Sequence, residues 1–426
     1  MRIFIGLTEI ANYYSNLKEG FEELGVKADF IQESKHPFYA VQKTTFLEKC
    51  LQGINHQRLK LSNQFRYLII LRKLLVFLTK IIKTFILIQS IFKYDVFIFG
   101  YKSSFIDFRE LYLLKFFKKK IIYVFHGSDS RLPYTDGSIM SGDISDLKIT
   151  ECLKFTKRQK KEIKLIEKNA DLIVSAYTTS HFFNRTIINF ISIGLPYKIS
   201  KFIDHNYGSN QNQTVTILHC PSHPEAKGTL LIEKAIDSLK QKGYLINYIR
   251  ITQMPNSTVL KNLQNCDFVV DQLYSDTPMA GFAAEAAFCG KPAIVGGYYT
   301  DEDLKMSNIP PSLHCHPEKV EQAIEQLIIN LEFRLELGQK AKSFVENYWA
   351  PKKVAERYLR LINENIPDEW QCNPNKINYL YGGGLPDWKT KLIIRKMIEK
   401  YGIKSLQLSD KAYLEKQFKE FAYSND

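Results

Sequence analysis

Short apolar runs alternate with longer stretches whose apolar positions recur at helical spacing. Strand-like runs fall at Arg2–Leu7, Lys27–Ile31, Val96–Phe99, Ile121–Phe125, Leu172–Ser175 and Phe190–Ser192. Helical spacing occupies Tyr14–Leu24, Phe65–Phe92, Arg109–Phe117 and Thr156–Asn169. Apolar strands separated by helices predict a parallel sheet covered on both faces. The polar stretch Asp204–Gln213 interrupts this series and reads as a linker.

A second series follows. Strands are expected at Thr214–His219, Asn247–Thr252, Phe268–Gln272 and Ala293–Gly296. Helices are expected at Leu230–Lys242, Ser257–Gln264, Gly281–Cys289, Pro317–Leu331, Glu332–Trp349 and Pro351–Glu364. Gly382–Gly384 reads as a turn, with more helix from Lys389. The pattern predicts two doubly wound α/β domains facing a central cleft. Ligands in such sheets bind at the carboxyl ends of the strands, so the residues directly after strands are the candidates.

Composition narrows the class. A chain of 426 residues exceeds one ordinary core, and 45% hydrophobic with 24% charged residues excludes a disordered protein. Seven scattered cysteines without close pairs fit reduced thiols better than a disulfide framework. Met1–Gly6 reads as a strand and not as a secretory leader, so the expected location is the cytoplasm.

Charge adds a partner. The net charge is +13, and between Arg66 and Lys120 twelve Lys or Arg stand against three acidic residues. These cations interrupt Leu, Ile and Phe, the texture of a helix lying on an anionic membrane surface and not that of a nucleic-acid site. A lysine-fringed helix packed on the sheet is the plainer reading, and the two suit different faces. Arg72, Lys73, Lys80 and Lys83 break the apolar run, so no uninterrupted span of about 20 residues is expected.

Three strand-end motifs carry candidate chemistry. In Asp271-Gln272-Leu273 through Thr277-Pro278 to Gly281–Pro292, a loop enters an Ala-rich helix that Gly290 stops. Gly281, Phe282, Ala283 and Ala284 would start that helix, where free amides suit a diphosphate. Glu285, one turn in, would accept from ribose hydroxyls; an Ala-rich helix packed on the sheet is the competing reading. In His219-Cys220-Pro221-Ser222 followed by Lys227-Gly228-Thr229, Lys227 either neutralises a diphosphate or is a surface lysine in a turn. In His126-Gly127-Ser128-Asp129-Ser130-Arg131, His126 and Asp129 either orient a sugar hydroxyl and move a proton, or Asp129 caps a turn.

In this order the motifs resemble glycosyltransferase family 4, the retaining transferases of GT-B fold. Asp271–Pro292 is similar to that family's E-x7-E region, and His219–Thr229 to its donor-phosphate loop. His126–Arg131 is similar to a loop of a subgroup found with surface polysaccharide and lipopolysaccharide genes. The likeness covers roughly residues 1 to 365. It implies an N-terminal acceptor-side domain over 1–205, a nucleotide-sugar domain over 206–350, a returning helix over 351–366 and an extension over 367–426 outside the likeness.

Residue by residue, the resemblance implies that Lys227 and Gly228 meet the donor diphosphate and Glu285 the ribose. It places the backbone of Gly281, Phe282, Ala283 and Ala284 at the phosphates and His126 beside the donor sugar. The sequence departs from the pattern at Thr277, which stands where the family's first Glu contacts the transferred sugar. The family's arginine upstream of Lys-Gly is also missing. The expected enzyme is a metal-independent glycosyltransferase, with no cofactor beyond the nucleoside diphosphate sugar it consumes and a glycan or lipid-linked acceptor. Thr277 motivates one alternative, a non-catalytic GT-B homologue acting as a scaffold in a glycan-assembly complex; a nucleotide-sugar epimerase of the same fold, which would release product without any acceptor, is another. Asp301-Glu302-Asp303 spells D-x-D but reads as a helix start, and His314-Cys315-His316 lies too close together to surround one tetrahedral zinc ion.

Overall fold

The computed structural model describes residues 1–34, 45–61, 66–198, 214–300 and 309–424. The expected linker and the Asp301–Asp303 motif lie outside these residues. Two sheets organise the chain. The N-terminal sheet contains β1 (Arg2–Leu7), β2 (Lys27–Gln32), β3 (Val96–Gly100), β4 (Lys120–Val124), β5 (Leu172–Ser175) and β6 (Ile187–Asn189). The C-terminal sheet contains β7 (Val215–His219), β8 (Ile246–Arg250), β9 (Phe268–Val270), β10 (Ala293–Gly296) and β11 (Leu313–Cys315). A last strand, β12 (Gln371–Cys372), returns to the first sheet.

The spatial orders are β12-β6-β5-β4-β3-β1-β2 and β11-β10-β9-β7-β8. All pairings are parallel except β12 with β6. β3 is buried along its whole length, as a strand sandwiched between helices must be. The order reverses at β1/β3 in one sheet and β7/β9 in the other, which opens a crevice at those carboxyl ends.

Several elements differ from the sequence expectation. Phe190–Ile193 is a helix: the Asn189 side chain caps the Ile191 amide, Gly194 ends the turn at φ 84°, and β6 lies just before it. The helix over Asp146–Asn169 begins ten residues earlier than expected because Ser145 caps Lys148 and buries Ile149, Cys152 and Leu153. The edge strands β11 and β12 are too short to leave an alternating pattern.

The helix Pro351–Ile362 crosses back and packs on Tyr13–Glu23, with the Tyr358 and Tyr13 hydroxyls 2.8 Å apart. The extension then buries Ile393, Ile394, Met397 and Phe418 in the core that holds Phe99, Tyr123 and Phe125.

The helix Arg66–Lys93 carries apolar residues on two sides. Leu75, Ile86, Leu87 and Ile91 are buried, whereas Ile70, Leu74, Phe77, Phe85 and Phe92 face outward, Phe92 at 79% exposure. Leu68–Lys93 is long and apolar enough to cross a membrane by length and composition, contrary to the expectation from its interrupting charges. Lys80, Lys83 and Lys93 pair with Asp107, Glu33 and Asp29, which ties the helix to the lobe along its flank.

Candidate functional site

Lys227 follows β7 and ends a short helical turn; Gly228, in left-handed conformation at φ 73°, then starts the helix Thr229–Gln241. A Cβ at Gly228 would lie 2.8 Å from the Leu273 Cβ, so the loop after β7 touches the loop after β9 only because this residue is glycine. The Leu273 amide donates to the Lys227 carbonyl at 3.1 Å and locks the two loops together.

The Lys227 ammonium, partly exposed, donates to the Gln272 side-chain carbonyl and lies 3.9 Å from Asp271. Gln272 donates to Ser275 at 2.6 Å, and Ser275 to the Thr277 carbonyl at 2.6 Å. A polar chain thus runs from the lysine to Thr277, where the resemblance leads one to expect a Glu. Asp271 is 1% exposed, and burial raises its carboxyl above the ordinary range against the opposing pull of Lys227 and the Ala283 amide. Among the described residues its Oδ2 has no hydrogen-bond partner. An internal carboxylate therefore meets the start of the helix Gly281–Phe288, where the resemblance places a diphosphate.

Gly281 has open space where a Cβ would project, and Phe282 is half-buried, while Ala283 and Ala284 pack into the C-terminal core. Glu285 is 7% exposed and accepts from the Tyr197 hydroxyl and from Asn256 Nδ2 at 2.8 Å. Burial raises its pKa, only partly offset by these two donors. Tyr197 belongs to the crossover between the lobes, so Glu285 sits at the inter-lobe boundary; nothing in the sequence singled out Tyr197 or Asn256. Cys220 lies within electrostatic reach of Lys227, Asp271 and Glu285, which gathers the candidate donor residues of the second lobe around one sheet end.

On the opposite lobe, His126 follows β4. Its Nε2 is 2.7 Å from the Tyr14 hydroxyl, and Tyr13, Tyr14 and Phe190 meet its ring edge-on. Burial pushes the imidazole pKa down to about 3, so it is neutral near pH 7 and serves as a hydrogen-bonding group. Asp129 accepts the His126 amide at 2.8 Å, the turn-capping geometry. Among the described residues its Oδ2 has no hydrogen-bond partner, and burial pushes its pKa up to about 6.

A two-pronged inter-lobe contact comes from the last residue of that motif. Arg131 Nε and Nη2 donate to the two oxygens of Asp276 at 2.5 and 2.9 Å, while Nη1 reaches Asp136 at 3.2 Å. Thr178 of the first lobe also donates to the Asp276 carbonyl at 2.5 Å. Asp276 precedes Thr277, so this loop carries a carboxylate one position before the threonine, committed to an arginine. A small cavity of about 30 Å³ lies beside it between Ala176–Thr178 and Asp276–Pro278.

Among the described residues no group of three or more His, Cys, Asp or Glu is placed to hold a metal ion. His314 Nε2 donates to the Pro278 carbonyl at 3.0 Å, as a loop brace.

No protein-family model matches the chain, and no curated protein sequence matches it. Solved structures do. OtsA in its apo form aligns over 86% of this chain and 100% of its own, with a TM-score of 0.50 at 9% identity. HepE of Anabaena in complex with UDP-glucose aligns over 85% and 100%, with a TM-score of 0.47 at 11% identity. MnaA of S. aureus with UDP aligns over 86% and 97%, with a TM-score of 0.45 at 13% identity. The two facing Rossmann-like lobes and the returning C-terminal helix make the fold GT-B.

Proposed function

We propose that this protein is a glycosyltransferase that moves a sugar from a nucleoside diphosphate donor to a lipid-linked or polysaccharide acceptor with retention. The observation that carries the reading is the gathering of Lys227, the open helix start at Gly281 and Glu285 at one sheet end facing the other lobe. The arrangement suits a ligand with a diphosphate at one end and vicinal hydroxyls at the other. Titratable groups buried at an inter-lobe crevice are what such a site needs.

In this reading Lys227 swings from Gln272 to the leaving diphosphate, and the amides of Gly281 and Phe282 add dipolar stabilisation. Glu285 shares Tyr197 and Asn256 with the ribose hydroxyls. His126, held neutral by Tyr14, lies on the sugar side and donates or accepts a hydrogen bond; Asp129 fixes its loop. No metal takes part, since the cation and helix amides supply the charge stabilisation. Incubation with a panel of radiolabelled nucleotide sugars and crude lipid acceptor tests the proposal. Transfer or hydrolysis that vanishes in Lys227→Ala is expected; a wild-type rate in that variant overturns it.

A second reading, a non-catalytic partner of the same fold in glycan assembly, draws on Thr277 and on Asp271, which already faces Lys227 and the helix start. It predicts no donor turnover with any nucleotide sugar.

We also propose that the protein works in the cytoplasm, peripherally on the membrane. The outward face of Arg66–Lys93 continues onto Phe116 and Phe117, Phe92 touching Phe117 with ring centroids 6.3 Å apart. Lys115, Lys118 and Lys119 flank those rings in the chain. Exposed aromatic and aliphatic residues beside lysines suit an anionic lipid interface.

A further inference from the structure

Beyond the donor site, the extension at the end of the chain does something the sequence did not show. It belongs to the first lobe by packing, since β12 pairs with β6 and Ile393, Ile394, Met397 and Phe418 fill that lobe's core. Yet on its way it reaches the second lobe repeatedly. The Gly384 amide donates to the Tyr274 carbonyl at 2.7 Å, and the Tyr379 hydroxyl to the Ser275 carbonyl at 3.3 Å. Tyr381 stacks on Tyr298 with centroids 4.4 Å apart, and the Asp387 amide donates to the Tyr298 hydroxyl at 3.0 Å.

The Gly382–Gly384 turn is wedged between the lobes. The Gly137 amide donates to the Gly383 carbonyl at 2.9 Å, and a Cβ at Gly382 would lie 2.0 Å from the Thr135 carbonyl oxygen. On the other side, a Cβ at Gly384 would lie 3.1 Å from the Ala226 Cβ, next to Lys227. Side chains do not fit in this gap, which explains three glycines in a row. An ion pair closes the crossing: Lys389, buried, donates to Glu225 at 2.6 Å and to the Gly142 carbonyl at 2.8 Å, while Glu225 accepts the Gly142 amide.

We propose that residues 371–424 are an intramolecular strap that fixes the angle between the lobes. Its fastenings are Lys389–Glu225, Gly384–Tyr274 and the Tyr298 contacts, and together with the Arg131–Asp276 pair they oppose opening of the cleft. Without the strap, the lobes are joined by the chain after Phe190–Ile193, by the junction into Pro351–Ile362 and by side-chain contacts such as Arg131–Asp276. Chain crossings alone permit hinge motion; contacts across the gap oppose it. The fastenings border Lys227 and Asp276, so release would widen the crevice where the donor residues gather. The strap itself stands on packing alone and does not depend on the proposed transferase activity.

Deleting the strap would expose the first lobe's core, so point variants test it in the full chain. Glu225 is exposed, and Tyr298→Phe keeps the ring while removing the hydroxyl. Amide hydrogen exchange at Gly384, bonded to neither Glu225 nor Tyr298, reports release; exchange across Lys120–Val124 reports the integrity of the fold. In Glu225→Ala/Tyr298→Phe, the Gly384 amide is expected to exchange at least about tenfold faster with an increased radius of gyration, while Lys120–Val124 stays protected. Exchanging the charges, Glu225→Lys with Lys389→Glu, is expected to restore slow exchange relative to either single reversal. Wild-type exchange at Gly384 and an unchanged radius of gyration in the double variant would overturn the strap.

Discussion

Arg131 of the first lobe holds both carboxylate oxygens of Asp276 of the second, and the pair is almost fully shielded from water. Removing one member of such a pair strands a buried charge, which costs about 3–5 kcal/mol. Asp276→Asn should fall near the lower end because Asp136 still faces the guanidinium. Urea unfolding checks it. Arg131→Lys should not rescue the contact, since an ammonium cannot reproduce the two-pronged geometry. A loss below about 0.5 kcal/mol would mean the contact is solvated in solution.

Burial fixes the protonation of His126. Its folded pKa, about 3, lies below the ordinary value of 6.5, so the unfolded chain binds the extra proton. The stabilisation is complete above pH 6.5 and is lost as pH falls from there toward 3. His126 ring resonances followed by NMR should stay those of the neutral imidazole at pH 5. His126→Gln should flatten the decline in stability between pH 6.5 and 4. An imidazole titrating near 6.5 would contradict the packing against Tyr13, Tyr14 and Phe190.

Asp129 moves oppositely. Its folded pKa of about 6 lies above that of an unfolded aspartate, so it weakens the fold at neutral pH and weakens it less as pH falls through 6. Asp129→Asn, which keeps the oxygen that caps the His126 amide, should therefore leave stability at pH 7.5 equal to or above wild type. Thermal unfolding at pH 7.5 and 5 separates the two outcomes.

Phe77, Phe85 and Phe92 are more than half exposed on the outward face of Arg66–Lys93. Burying each in lipid would contribute about 1.5–3 kcal/mol. The triple change to Asp should abolish flotation with anionic liposomes while the circular dichroism spectrum persists. Retained flotation would assign membrane binding elsewhere.

Much of this architecture was legible in the sequence because apolar strand cores and helix punctuation are local. β1, β3, β5 and β10 fall where alternation placed them to within a residue. The Phe190 segment misled because Phe-Ile-Ser-Ile alternates like a strand, and only the Asn189 cap and Gly194 turn it into a helix. The strand-end loops were legible as clusters, but their pairing was not. Arg131 with Asp276 and Glu285 with Tyr197 join residues 145 and 88 positions apart, and no local pattern encodes which partner a charge meets. The strap was invisible for the same reason: Gly382–Gly384 has the composition of a turn and the location of a wedge.

The central claim is that the second lobe grips a nucleoside diphosphate through Lys227 and Glu285. Calorimetric titration of the full chain with UDP, GDP and ADP, repeated for Lys227→Ala and Glu285→Gln, tests it most directly. Saturable binding of one nucleotide is predicted, weakened by about 1.5–3 kcal/mol, roughly 10- to 150-fold, in Lys227→Ala and also weakened in Glu285→Gln. Binding of none of the three, or equal affinity in wild type and both variants, would contradict it.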